Sequence, residues 1–123
     1  MSQNKRLYAL RGAVQCLNQA DDIERQVSML YKELLTENIL DEDGIVSAVF
    51  SVTADLDAQN PCTALRRAGL ACGTPLFAVQ EAAVQDSLPR VIRILVHCYL
   101  NEGAVIRHVY RNGAESLRPD RKG

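Results

Sequence analysis

Apolar and polar positions change their period several times along the chain, and each change marks a predicted element. Residues 7–14 alternate around Arg11-Gly12 and read as a first strand, ending where residues 15–20 turn polar. Ile23, Val27, Leu30 and Leu34 then recur at helical spacing through to Asn38. Asp21 is the expected N-cap of that helix, with Glu24 three residues on as in a capping box. The acidic turn Asp41-Glu42-Asp43-Gly44 is expected to be a solvated loop, because the further ligands of a calcium-binding EF-hand loop do not follow it. Residues 45–53 form a second predicted strand. Asn60-Pro61 opens a short helix in the favoured order of cap followed by proline, and Gly69 is placed to close it.

A third predicted strand covers residues 75–80 and ends at Glu81, and a fourth spans residues 91–99. Asn101-Glu102-Gly103 turns the chain into a fifth at residues 105–110. Asn112-Gly113 is a hairpin signal, followed by a short apolar piece that ends at Leu117-Arg118-Pro119. The order β-α-β-α-β-β-β places the chain in the α/β (α+β) class with one mixed sheet and helices outside it. Two helices cover only one face of such a sheet, whereas the second and fourth strands are apolar on both parities. The second face is therefore expected to meet another copy of the chain.

Length and charge narrow the picture. A chain of 123 residues and 13.6 kDa is one domain, 1–123, with a mobile C-terminal tail expected at about 117–123. A net charge of -1 and a pI near 6.1 argue against a nucleic-acid or anionic-membrane partner, which requires a dense excess of Lys and Arg. No Trp and only two Phe leave no stacking platform for single strands. The longest apolar run falls well short of the roughly 20 residues a membrane-spanning helix needs. The opening residues are polar rather than a basic-then-apolar leader, so a cytoplasmic location is expected. Cys16, Cys62, Cys72 and Cys98 are scattered without a Cys-x-x-Cys pair and are accompanied only by His97 and His108. Metal ligation needs clustered donors, so no metal is expected and the thiols read as reduced and structural.

The chemistry starts from Arg93, in the middle of the apolar run Val91-Ile92-Arg93-Ile94-Leu95-Val96-His97-Cys98-Tyr99. Its guanidinium cannot shed its charge, and an unpaired buried ion costs several kcal/mol. Either a protein carboxylate, with Glu81 the candidate, or a bound anion must face it. Arg11, Glu81, Tyr110 and Arg118 share the same oddity of lying within or at the end of apolar strands. Glu81 can neutralise only one of the three arginines, which favours a small ligand bearing more than one carboxylate, with Tyr110 as a further donor. No nucleophile context, glycine-rich phosphate loop or paired acids accompany them. His97 reads as a packed or rim histidine, His108 and Arg107 as facing solvent or a neighbouring subunit, and Asp55 as holding its loop.

Taken in order, several segments resemble one family. They are Leu10-Arg11-Gly12-Ala13, Thr53-Ala54-Asp55-Leu56-Asp57-Ala58 with Pro61 and Arg66, Pro75, and Gln80-Glu81. Then follow Pro89-Arg90-Val91-Ile92-Arg93, Ile106-Arg107-His108-Val109-Tyr110 and Leu117-Arg118-Pro119-Asp120. The spacing is similar to that of the AroH class of chorismate mutases, small homotrimeric enzymes of pseudo-α/β-barrel fold with active sites between subunits. The resemblance implies the Claisen rearrangement of chorismate to prephenate in phenylalanine and tyrosine biosynthesis, with no cofactor and no protein acid-base step.

By that resemblance Arg93 donates to the ether oxygen, Arg11 and Tyr110 clamp the enolpyruvyl carboxylate, Glu81 accepts from the ring hydroxyl, and Arg118 approaches a carboxylate from outside. Arg93, Glu81 and Arg11 are the expected catalytic residues. Asn60, Thr63, Leu76, Phe77, Ala78 and Leu117 complete the expected substrate-binding set. The chain departs from the family where Asn60 replaces a usual aromatic and Thr63 a usual lysine, both at the pocket rim. Phe77 and Ala78 also stand where a smaller polar residue and cysteine are common. Two other readings compete: a non-catalytic carboxylate-binding or regulatory trimer, and an enamine or imine deaminase of the YjgF type, which explains the Leu-Arg-Pro-Asp ending poorly.

Overall fold

Strand β4 (Val91–Asn101) forms the middle of a five-stranded sheet in a computed structural model that describes residues 4–117. It runs antiparallel to β1 (Lys5–Gln15) on one side, from Lys5 opposite Asn101 to Gln15 opposite Val91, and to β2 (Ile45–Val52) on the other. The edges are parallel additions: β3 (Leu76–Gln80) on β2, and β5 (Val109–Arg111) on β1, giving the order β3-β2-β4-β1-β5. Helices α1 (Ala20–Glu37) and α2 (Pro61–Arg67) and two short 3-10 turns, Glu42–Gly44 and Ala114–Leu117, complete the fold. The predicted element order and mixed-sheet class are those observed.

Both helices pack on one face. Ile23, Val27, Leu30 and Leu34 of α1 and Leu65 of α2 are sealed against Leu10, Phe50, Ile92 and Val96 of the sheet. Removing such side chains from water, at roughly 1.5–3 kcal/mol each, is the main term holding the layers together. Gly12 sets the spacing: a Cβ there would lie 3.0 Å from Leu30 Cδ1 and 3.1 Å from both Ile94 Cγ2 and Leu34 Cδ1. The absent side chain lets α1 settle directly on β1.

The opposite face carries no layer among the described residues. Leu7, Phe77, Val79 and Tyr99 stand there 49%, 67%, 44% and 48% exposed.

Four local expectations are corrected. α1 begins at Ala20 with Gln19 as its N-cap, not Asp21, because the Asp22 carboxylate reaches back to accept the N–H of Leu17 at 2.8 Å. Glu24 does not close a capping box; it pairs with Arg67 at 2.9 Å and accepts from Gln59, tying α1 to the approach to α2. The acidic turn, by contrast, is exposed at Asp41, Glu42 and Asp43 as expected, and one Glu42 oxygen also accepts from the Tyr31 hydroxyl at 2.5 Å and from the N–H of Ala71 at 2.8 Å.

The fifth strand is Val109–Arg111 rather than residues 105–110. The backbone of Arg107 is instead held by the buried Asn38 amide, which accepts its N–H and donates to its carbonyl, both at 2.9 Å. Asn112 and Gly113 both adopt positive φ, 56° and 102°, but the turn leads into the Ala114–Leu117 turn and not into a returning strand. By contrast Asn60 caps α2 as expected, its side chain accepting from the N–H of Cys62 at 2.8 Å ahead of Pro61. Of the expected tail, Leu117 ends the last 3-10 turn, and residues 118–123, including Arg118, lie outside the described residues.

Candidate active site

Strand register gathers residues far apart in sequence onto the open face. Across β1 and β4, Ala13 faces Arg93 and Arg11 faces Leu95; across β4 and β2, Arg93 faces Ser51. Tyr110 of β5 lies beside Ala13. Glu81, one residue past β3, continues the ladder by donating its N–H to the carbonyl of Val52 at 2.7 Å, which brings its carboxylate next to Ser51. Arg11, Ser51, Glu81, Arg93, Tyr110 and Leu117 line one cavity of about 310 Å³, with Ala13, Val49 and Leu95 supplying apolar surface.

The charges in this cavity do not cancel. Arg93 Nε stands 3.7 Å from Glu81 Oε1, beyond hydrogen-bond range, and the arginine side chain keeps 48% of its surface exposed. The ion pairs among the described residues are Arg25–Asp22, Arg67–Glu24, Arg93–Glu81 and Arg111–Glu33, so Arg11 takes part in none. The internal salt bridge weighed for Arg93 is thus present but loose, and a second cation beside it is not balanced by any described carboxylate. The Ser51 hydroxyl donates to Glu81 Oε1 at 2.6 Å, a charge-assisted bond stronger than the Arg93 contact.

Residues outside the cavity hold its frame. Both oxygens of Asp55 accept the N–H of Arg90, a residue at φ 53°, and the Thr53 hydroxyl accepts the N–H of Val91 at 3.0 Å. Asp55 therefore holds its loop as expected, and with it the first residues of β4. His108 does not simply face solvent or a neighbour: its half-buried ring accepts the N–H of Arg11 on Nδ1 at 3.0 Å. His97 is a half-buried rim residue 3.4 Å from the Ser47 hydroxyl. Burial pushes the Cys16 thiol up to about 11, with Asp22 adding to the rise, and lifts Cys62 and Cys98 in the same direction. These thiols are protonated packing groups, not nucleophiles.

Other expected site residues lie apart from Arg93 within one chain. Asn60 and Ala78 border a separate shallow groove along β3, and Thr63 sits exposed on α2. Leu76 and Ala78 pack toward the helices, whereas Phe77 points from the open face. Ser51 was missed by sequence reasoning. Its only signal was a polar residue on an apolar strand, and a register shift between Ile45 and Ser47 hid which face it occupies.

Residues 7–121 match the family described as chorismate mutase type I. The chain belongs to that family. It is accordingly an isomerase acting in aromatic amino acid biosynthesis, which sets aside the deaminase alternative. The chain is 33% identical over 114 residues to a chorismate mutase of Thermus thermophilus, covering 90% of this chain and 93% of that one. It is 29% identical over 101 residues to the chorismate mutase of Bacillus subtilis, covering 81% and 80% of the two chains. The structure of a chorismate mutase from Clostridium thermocellum superposes with a TM-score of 0.81 at 40% identity, over 89% of this chain and 99% of that one. Among the described residues no group of three His, Cys, Asp or Glu gathers into a metal-binding cluster, and no helix is long and apolar enough to cross a membrane.

Proposed function

We propose that the Arg93 cavity binds chorismate as a dianion and converts it to prephenate by conformer selection and charge stabilisation. The reaction is an intramolecular exchange of a carbon–oxygen bond for a carbon–carbon bond, so it asks nothing of the protein by way of nucleophile or proton transfer. What it asks for is a compact, chair-like conformer and a donor where negative charge grows on the ether oxygen as that bond breaks. Arg93 is that donor. A preorganised group of this kind, stronger in the transition state than in the ground state, contributes about 3 kcal/mol or more.

Arg11 and Tyr110 clamp the enolpyruvyl carboxylate, Glu81 accepts from the ring hydroxyl, and Arg118 approaches a carboxylate from outside. Fixing both ends of the substrate supplies the orientational half of the rate. The observation that carries this reading is the convergence of Arg11, Arg93 and Tyr110 on one cavity whose only described acid is Glu81.

The enzyme acts as a homotrimer in this reading, with the cavity completed by a second copy. Two observations support it: the cavity lies on the sheet face that carries Leu7, Phe77 and Tyr99 to solvent, and Asn60 and Thr63 do not line that cavity within one chain. A threefold ring uses different patches on each side of the same subunit, which is what delivers the α2 end of one copy to the β4 face of the next. Four unpaired thiols fit a cytoplasmic enzyme.

Loss of chorismate absorbance with purified protein, run alongside sedimentation, tests both parts. Turnover by a trimer is the expected result. Tight binding of a bicyclic dicarboxylate mimic by folded protein without turnover would instead leave a carboxylate-binding trimer.

A further inference from the structure

Ser51 and Arg93 are cross-strand partners that approach the same carboxylate oxygen. The Ser51 hydroxyl reaches Glu81 Oε1 at 2.6 Å, and Arg93 Nε stops at 3.7 Å. Glu81 follows β3 and Arg93 lies on β4, with Ser51 of β2 between them; reaching across β2, carboxylate and guanidinium would otherwise close into a bidentate pair, the geometry both groups favour. Such a pair would withdraw from the cavity the donors that the developing oxyanion needs. Among the described residues Glu81 makes no other side-chain hydrogen bond, and its backbone N–H is held by the carbonyl of Val52.

We propose that Ser51 is a positioning residue that holds Glu81 in a rotamer off the Arg93 fork, keeping Arg93 free for substrate and Glu81 Oε2 free to accept a hydroxyl. The inference rests on the roles given above to Glu81 and Arg93. Ser51 need not touch the substrate for this. Its hydroxyl satisfies one oxygen with a neutral donor, so the carboxylate stays oriented while the cation beside it stays uncommitted. The chemical consequence lies in the rate of rearrangement more than in capture, because it is the ether-oxygen donor that is lost when the pair closes.

A double-mutant cycle on the full-length enzyme tests this, with Ser51→Ala, Glu81→Ala and the double variant compared by kcat, KM and circular dichroism. Ser51→Ala is expected to lower kcat about tenfold, the effect of one charge-assisted hydrogen bond, with a smaller change in KM. In the Glu81→Ala background the same substitution is expected to change nothing, since the group it positions is gone. Ser51→Cys keeps the shape and weakens the donor, and is expected to fall between Ser51→Ala and the parent, which covers the case in which the alanine variant does not fold. Losses that multiply in the double variant, or a Ser51→Ala effect confined to KM, would overturn the proposal. Full turnover by Glu81→Ala would instead remove the role of Glu81 itself, a result that separates failure of the underlying reading from failure of this one.

Discussion

Both carboxylate oxygens of Asp55 accept the backbone N–H of Arg90, each at 3.1 Å, across 35 residues of sequence. Arg90 sits at φ 53°, a conformation that a non-glycine residue adopts only when its surroundings impose it. Three residues later β4 delivers Arg93. Asp55→Ala is expected to cost about 1–2 kcal/mol of stability, since it releases a strained backbone from a charged acceptor. It is also expected to lower kcat although Asp55 does not line the Arg93 cavity. Thermal unfolding and turnover of the same preparation check the two effects together.

The arginines should separate kinetically. Arg93→Ala is expected to lower kcat by a factor on the order of 100 or more, the scale for removing one preorganised donor, with assembly unchanged. Arg118→Ala is expected to act mainly on KM, because the role proposed for it is capture from outside the pocket. Steady-state kinetics of the two variants would show the contrast, and equal mild effects would contradict the roles assigned.

Gly12 is a packing position rather than a turn. Gly12→Val would drive side-chain atoms into Leu30, Leu34 and Ile94, all fully buried or nearly so. Overpacking of this kind is expected to cost about 1–3 kcal/mol and to lift α1 from β1. Denaturant titration should show a lower midpoint, and activity should fall as the neighbouring Arg11 shifts.

Alkaline pH should destabilise the fold in a defined window. The folded Cys16 thiol is raised to about 11 from an ordinary value of 9.0, mainly by burial and then by Asp22. Between those values the unfolded thiol ionises while the folded one keeps its proton, so the unfolded state binds fewer protons and stability falls as pH rises. The stabilising contribution is full below pH 9 and gone above about pH 11. Tyr31, raised by burial and by its bond to Glu42, acts in the same direction. Denaturation midpoints from pH 8 upward should drop, and Cys16→Ala should flatten the part of the slope due to that thiol.

Much of the candidate site was legible as an anomaly. Arg93, Arg11, Glu81 and Tyr110 stood out because charged or phenolic groups interrupt apolar strands, and four of the expected contacts, with Leu117 as a fifth, do share one cavity. Ser51 escaped because a serine in a strand carries no comparable cost and so raises no question. The pairing of Glu24 escaped for the opposite reason. Its local setting, a helix start, points to a cap, whereas its partners Arg67 and Gln59 come from elsewhere in the chain.

The sequence by itself determined the elements, the core stripe of α1, the cap of α2 and the surplus of cations over acids, because periodicity, capping and charge count are properties of neighbouring residues. Only the tertiary structure decided that β5 joins β1 in parallel, that a register shift near Ile45 turns Ser47, Val49 and Ser51 to the open face, and that Ser51 and Arg93 meet at one oxygen of Glu81. Strand pairing is a choice among distant partners made by burial of one whole face, and a one-residue slip reverses every side chain along a strand. No local pattern carries that information.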